Sequence, residues 1–264
     1  MGGEIVMLID THAHLQMKDY NSDRKAVLER AKSAGVEYII NASFDLPSSQ
    51  SAVKLADENE PLFASVGIHP HDSKIFDNEI VKALKELARN KKVVAIGEVG
   101  LDYYRDLSPR SIQRSAFIAQ MALAKELNLP IIIHNRDSYD DMMAILKENL
   151  DGLNGVMHCF SGDQDFADKC LELGLYISFA GPVTYPNSQV LQKIATNIHK
   201  DRFFVETDCP YLSPQFMRGK RNEPSYVQAI AKKIAELRHI TLPEISRFTS
   251  NSAIAFFKLN RKTE

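Results

Sequence analysis

The chain has 264 residues, 44% apolar and 25% charged, with 32 Lys and Arg against 34 Asp and Glu for a net charge of -2. Such a chain can bury a sizeable core, and residues 1–264 are expected to form a single domain. The near-neutral balance neither draws nucleic acid to the whole surface nor excludes a local basic site, and the absence of a long charge-free run argues against a membrane span.

Met1-Gly2-Gly3-Glu4 carries no basic leader region or small-residue cleavage site, so no secretion signal is read and a cytoplasmic location is expected. Cys159, Cys170 and Cys209 are odd in number and form no CxxC pair, which suits reduced thiols.

Short β-branched runs predict strands over residues 5–10, 38–42, 62–67, 93–98, 130–134, 155–158, 175–179 and 203–207. Between and after them, amphipathic stretches predict helices near residues 22–34, 47–58, 75–89, 109–127, 138–148, 163–173, 187–198, 224–238 and 242–258. Ser108 followed by Pro109 reads as an N-cap with proline in the first helical position, and Thr241 with Glu244 has capping-box spacing. Runs such as Val93-Val94-Ala95-Ile96 and Ile131-Ile132-Ile133 imply strands buried on both faces, as in a parallel sheet covered by helices. Eight such units match an α/β fold of the (βα)8 TIM-barrel class. An open doubly wound sheet is the alternative, but no glycine-rich phosphate loop follows the first strand.

Polar residues interrupt these runs at their C-terminal ends. Asp10, His12 and His14 stand at the first, His69 follows the third, Glu98 ends the fourth, His134 the fifth and His158 the sixth, with Glu206 and Asp208 at the eighth. In a TIM barrel that end carries the active site. Strand parity puts Asp10, His12 and His14 on one face and Glu206 with Asp208 on another common face. A lone histidine there is ordinarily a hydrogen-bonded loop residue, but a gathering of imidazoles and carboxylates is the ligand set of Zn, Mn or Fe. A carboxylate can bridge two ions, and Glu98 is the natural bridge. A pair of ions would acidify a bridging water to hydroxide, so hydrolysis is the expected reaction. No GxSxG elbow, Walker loop or dinucleotide fingerprint competes.

The strings Ile9-Asp10-Thr11-His12-Ala13-His14, Gly67-Ile68-His69-Pro70-His71, Gly97-Glu98-Val99-Gly100-Leu101-Asp102-Tyr103-Tyr104, His134-Asn135-Arg136, His158-Cys159-Phe160-Ser161-Gly162 and Glu206-Thr207-Asp208-Cys209-Pro210-Tyr211-Leu212 resemble the TatD family of metal-dependent deoxyribonucleases. The resemblance runs from residue 9 to about residue 224. It implies an amidohydrolase-type barrel holding two divalent cations, Zn, Mg or Mn. His12, His14, Glu98 and Asp208 would surround one ion, and Glu98, His134 and His158 the other. In related amidohydrolases a carboxylated lysine bridges the ions, and Glu98 in that role argues against a phosphotriesterase-like member.

The resemblance also implies hydrolysis of DNA phosphodiesters by a 3′ exonuclease acting on single strands; frayed ends are a further expected substrate, and the chain is expected to be a monomer. The catalytic set is then Glu98, Asp208 and His69. Metal-activated hydroxide attacks phosphorus in line, Asp208 handles its proton, and His69 bonds to a phosphoryl oxygen. Asp10 is expected to accept from a ligand imidazole or to cap a turn, and Glu206 to stand behind the ligands. Tyr103, Tyr104 and Arg105 either meet a base and a phosphate or pack locally, and Arg136, Arg221 and Asn222 are further substrate contacts. An amidohydrolase or deacylase on a small or aminoacyl substrate is the rival reading, and a non-catalytic protein of the same fold is disfavoured because all six ligands are present.

Overall fold

The computed structural model describes residues 6–259. Expectations that touch residues 1–5, including the leader reading and the start of the first strand, lie outside the described residues. Eight strands, β1 (Leu8–Ala13), β2 (Val36–Asn41), β3 (Leu62–Val66), β4 (Val93–Asp102), β5 (Ile131–Arg136), β6 (Gly155–Met157), β7 (Tyr176–Phe179) and β8 (Phe203–Val205), form one sheet in sequence order. The pairs β3–β4, β4–β5, β5–β6 and β7–β8 are parallel. The helices are α1 (Arg24–Ser33), α2 (Leu46–Glu58), α3 (Asn78–Leu87), α4 (Arg110–Leu127), α5 (Tyr139–Asn149), α6 (Gln164–Glu172), α7 (Gln189–Asn197), α8 (Val227–Arg238) and α9 (Leu242–Phe257). Strand and helix alternate through all eight units, and the chain has the (βα)8 TIM-barrel fold.

Packing within the chain distinguishes two compact units. The first contains residues up to Ile40, Cys159–Gln164 and residues from Ile177 onward. In it an Ala13–Cys209 bridge ties the end of β1 to the segment after β8. Phe204 of β8 packs against Phe256 and Phe257 of α9, which anchors the last helix on the sheet. The second unit contains Asn41–His158 and Asp165–Tyr176. Its long strand β4 is buried at every residue, as a strand covered on both faces must be.

Caps set several helix starts. Asp45 and Ser48 make a capping box at α2, Asp77 caps α3 through the amides of Glu79 and Ile80, and Thr241 with Glu244 makes the expected box at α9. Ser108 departs from expectation: Pro109 occupies the N-cap of α4 without a side-chain cap, and the Ser108 hydroxyl donates to the His71 carbonyl. The first strand lies nearer its functional end than predicted, with His12 inside it, and the eighth stops at Val205, short of Glu206 and Asp208. No described helix is long and apolar enough to cross a membrane. Cys159, Cys170 and Cys209 form no disulfide among the described residues, and burial pushes the Cys170 and Cys209 thiols up to about 12, far from nucleophilic use.

Candidate metal centres

In the first unit, β1 delivers His12 and, one residue past its end, His14. The segment after β8 delivers Asp208, whose backbone turns left-handed at φ +55, a conformation Asp tolerates better than most residues. The Asp208 amide donates to the His12 carbonyl at 2.9 Å and the His14 amide to the Cys209 carbonyl at 2.9 Å, so main-chain bonds set the two segments in register. Their side chains converge: His12 Nε2 lies 3.2 Å from His14 Nε2, and Asp208 Oδ1 lies 3.3 Å from His14 Nε2 and 3.8 Å from His12 Nε2. All three residues are buried.

In the second unit the centre is Glu98, also buried. Its Oε1 faces His134 Nδ1 at 2.7 Å, His158 Nε2 at 2.9 Å and His69 Nε2 at 3.4 Å. The approach is made possible by a bulge. Ile96 to Val99 of β4 is matched by only Ile131 to Ile133 of β5, an extra residue that re-aims the strand at Glu98. Glycine is required beside it, because a Cβ on Gly100, at φ +144, would lie 2.0 Å from the His134 carbonyl oxygen.

Behind this group stands Asp102, 1% exposed. Its Oδ2 meets His71 Nε2 at 2.8 Å and His134 Nε2 at 3.2 Å, while Oδ1 accepts from the amides of Tyr104 and Arg105. Although burial opposes the charge, the His134, His71 and Arg105 bonds hold this carboxyl well below the usual carboxylate range. Burial likewise opposes a charge on His134, but its bonds to Asp102 and Glu98 outweigh that and raise its pKa. Were a cation to take the place of the Nδ1 proton, the Nε2–H bond to Asp102 would keep Nδ1 as the ligating nitrogen, the arrangement by which a carboxylate fixes the tautomer of a ligating histidine. Sequence reasoning gave Asp102 and His71 no role, and the available signal was a buried Asp four residues beyond Glu98.

His69 differs. Burial pushes it down to about 4, so it is neutral at ordinary pH. Its Nδ1 accepts from the His71 amide at 3.2 Å, which puts the proton on Nε2 and makes that nitrogen a donor.

Both clusters fit a divalent cation. Donors about 2.0–2.2 Å from a tetrahedral ion lie roughly 3.3–3.6 Å apart, close to the 3.2, 3.3 and 3.8 Å separations of the first cluster. His12, His14 and Asp208 form one group whose donor atoms all lie within 4.8 Å of one another, and His69, Glu98 and His134 another. Buried imidazole and carboxylate together suit Zn, Mn or Mg chemistry.

The remaining predicted residues divide. Asp10 does not reach an imidazole: its carboxylate takes the Thr207 hydroxyl at 2.5 Å and amide at 2.8 Å, linking β1 to the segment after β8, and burial pushes it up to about 8. Glu206 Oε1 accepts from the Cys159 amide at 2.6 Å. Glu206 and Asp208 are not the alternating pair of one strand, since β8 has ended before them. Arg221 is committed elsewhere, paired with both Asp23 oxygens at 2.8 and 2.7 Å and lying over the Tyr20 ring. Asn222 is 0% exposed and gives its amide to the carbonyls of Thr207 and Tyr211, so it is a brace and not a substrate contact.

In the second unit Tyr103 packs locally, its hydroxyl bonded to Asp141 at 2.5 Å. Tyr104 is 61% exposed with the Arg136 guanidinium 3.9 Å above its ring, and Arg105 is exposed. Lys82 and Lys85 face solvent on ion pairs with Glu79 and Glu126.

An α/β barrel with buried histidine–carboxylate clusters at its strand ends defines a metal-dependent hydrolase class, and comparison with known proteins narrows it. The TatD related DNase family matches residues 9–258. The chain is 46% identical over 255 residues to the uncharacterized metal-dependent hydrolase YabD of Bacillus subtilis (strain 168), covering 96% of this chain and 100% of that one. It is 36% identical to the 3'-5' ssDNA/RNA exonuclease TatD of Klebsiella pneumoniae (strain 342), covering 88% and 90%. The crystal structure of YJJV, a TatD homolog from Escherichia coli K12, matches with a TM-score of 0.90 at 30% identity over 96% of this chain and 99% of that one. The chain belongs to the TatD family of metal-dependent hydrolases.

Proposed function

We propose that this protein hydrolyses phosphodiester bonds in single-stranded DNA, as a 3′ exonuclease, with divalent cations held by His12, His14 and Asp208 in one cluster and by Glu98, His134 and His158 in the other. The observation that carries the choice of a phosphodiester is the exposed Arg136–Tyr104 stack. Arg136 stands two residues after His134 of the Glu98 cluster and Tyr104 two residues after Asp102 behind it, and together they offer a cation for a phosphate and a ring face for an unpaired base. A relative named as an ssDNA/RNA exonuclease supports the same reading.

Bound divalent cations supply Lewis acidity and offset charge that develops on phosphoryl oxygens. The residues supply the rest. The Asp208 carboxylate accepts the proton of the attacking water. His69, neutral and protonated at Nε2, donates to a phosphoryl oxygen without adding a charge that would repel a cation. Asp102 holds the His134 ring in the tautomer that leaves Nδ1 available.

The test uses protein stripped of metal and reloaded with Mg, Mn or Zn, incubated with 5′- and 3′-end-labelled single strands, with Glu98→Ala in parallel. A stepwise ladder from the 3′ end in the wild type and its absence in the variant is expected. Equal cleavage by both would sink the proposal, and turnover of an aminoacyl ester or N-acyl amide with no cleavage of DNA would replace it by the deacylase reading.

A further inference from the structure

Between Asp208 and α8 the chain crosses residues 211–222, a segment that contains Arg218, Lys220 and Arg221 and no acidic residue. Three large apolar side chains lie open along it: Tyr211 at 52%, Leu212 at 39% and Phe216 at 64% exposed. Isolated exposed apolar residues are ordinary, but three within six positions, two of them aromatic, are not explained by folding. The Tyr211 ring stands edge-on to the His14 ring at 6.2 Å, so the row begins against a candidate metal ligand. Phe216 stacks edge-on with Tyr226 at 5.3 Å, and the Arg218 guanidinium lies 4.4 Å over the half-buried Tyr185 ring.

The segment is braced from beneath. The Tyr185 hydroxyl donates to the Ser213 carbonyl at 2.9 Å, the Gln215 amide to the Thr184 hydroxyl at 2.8 Å, and the Asn222 side-chain amide to the Tyr211 carbonyl at 2.6 Å. At Gly181 a Cβ would fall 1.8 Å from the Leu212 carbonyl oxygen, so the two segments lie in backbone contact. A surface held this way loses little freedom when it binds. Since Arg221 is paired with Asp23, Arg218 and Lys220 supply the local positive charge.

We propose that residues 211–220 form a platform for single-stranded nucleic acid, with bases stacked on Tyr211 and Phe216 and the phosphate backbone met by Arg218 and Lys220. Ring faces with interleaved cations and no carboxylate are complementary to an unpaired, polyanionic strand, and far less so to a neutral small molecule. The platform deepens the phosphodiesterase reading by giving the strand a track that starts at His14, and it rests on that reading only for what becomes of the bound strand.

The test is an equilibrium measurement in EDTA, by fluorescence anisotropy of a labelled oligothymidylate of about ten nucleotides, a length within the range one such surface spans. Phe216→Ala is expected to weaken binding about fivefold or more, the loss of one base stack, and Phe216→Tyr to retain the wild-type affinity. Arg218→Ala is expected to weaken binding and to lower the slope of log affinity against log salt by about 0.7, the value for one lost phosphate contact on a single strand. Arg247→Ala, which removes a cation lying over Phe248 on α9 of the same unit, is expected to change nothing. Wild-type affinity and salt slope in both Phe216→Ala and Arg218→Ala would overturn the proposal. So would unchanged affinity with a shift from dimer to monomer in Phe216→Ala by sedimentation, which would assign the patch to a second copy of the chain. Because no metal and no cleavage enter the measurement, a failure of hydrolysis by the wild type leaves it readable.

Discussion

In the cluster of His12, His14 and Asp208 the main chain does the positioning: amide bonds from Asp208 to His12 and from His14 to Cys209 lock two segments together, and Asp10 reinforces them through Thr207. In the cluster of Glu98, His134 and His158 the work falls to side chains, with one carboxylate oxygen gathering three imidazoles and a second carboxylate, Asp102, holding His134 from behind. The first cluster is fixed once the strands pair. The second depends on a chain of charge-assisted hydrogen bonds, any of which a single substitution can break.

Mutation sharpens that contrast. The largest effect is expected of Glu98→Ala, which removes the oxygen shared by His69, His134 and His158. The hydrolytic activity proposed above should fall by about 10³-fold or more, and metal content measured after dialysis should drop. Next comes Asp102→Asn, which leaves the ligands present but frees the His134 tautomer. A loss of about 10- to 100-fold in metal affinity or activity is expected, while Asp10→Asn, whose partner is Thr207, should lose clearly less. Equal losses in the two variants would break the distinction between the clusters.

Asp10 gives a test through pH. Its folded pKa, about 8, lies above the ordinary carboxylate value of 3.8, because burial favours the neutral form. Its contribution to stability is therefore complete below pH about 4 and is lost as pH rises toward 8. Thermal unfolding of metal-free wild type and Asp10→Asn across that window should show the wild type falling relative to the variant as pH rises, and parallel curves would show that Asp10 ionises freely. The smallest effect is expected of Tyr104→Ala, a rise in KM for single-stranded DNA of about fivefold with kcat little changed, the loss of one stacking face.

Much of the site was legible because its residues interrupt apolar strands. His12, Glu98, His134 and His158 each end or follow a β-branched run, and in a (βα)8 chain the C-terminal end of a strand is where functional side chains stand. The α9 capping box was legible for a similar reason, since Thr241 and Glu244 interact across one helical turn. Arg221 and Asn222 were misleading: a basic, polar string looks like a phosphate loop until Asp23, far away in sequence, is seen to occupy the arginine.

Local periodicity and chemistry along the chain therefore sufficed for the strand and helix alternation, for the types of the candidate ligand residues and for the strand ends that carry them. Folding in three dimensions was needed to show that a bulge in β4 lies beside Glu98 where it meets His134, that Asp102 stands behind that histidine, and that Asp10 bonds Thr207 rather than a ring. Each of these rests on a residue's partner across the sheet, and partners set by non-local packing leave no period along the chain.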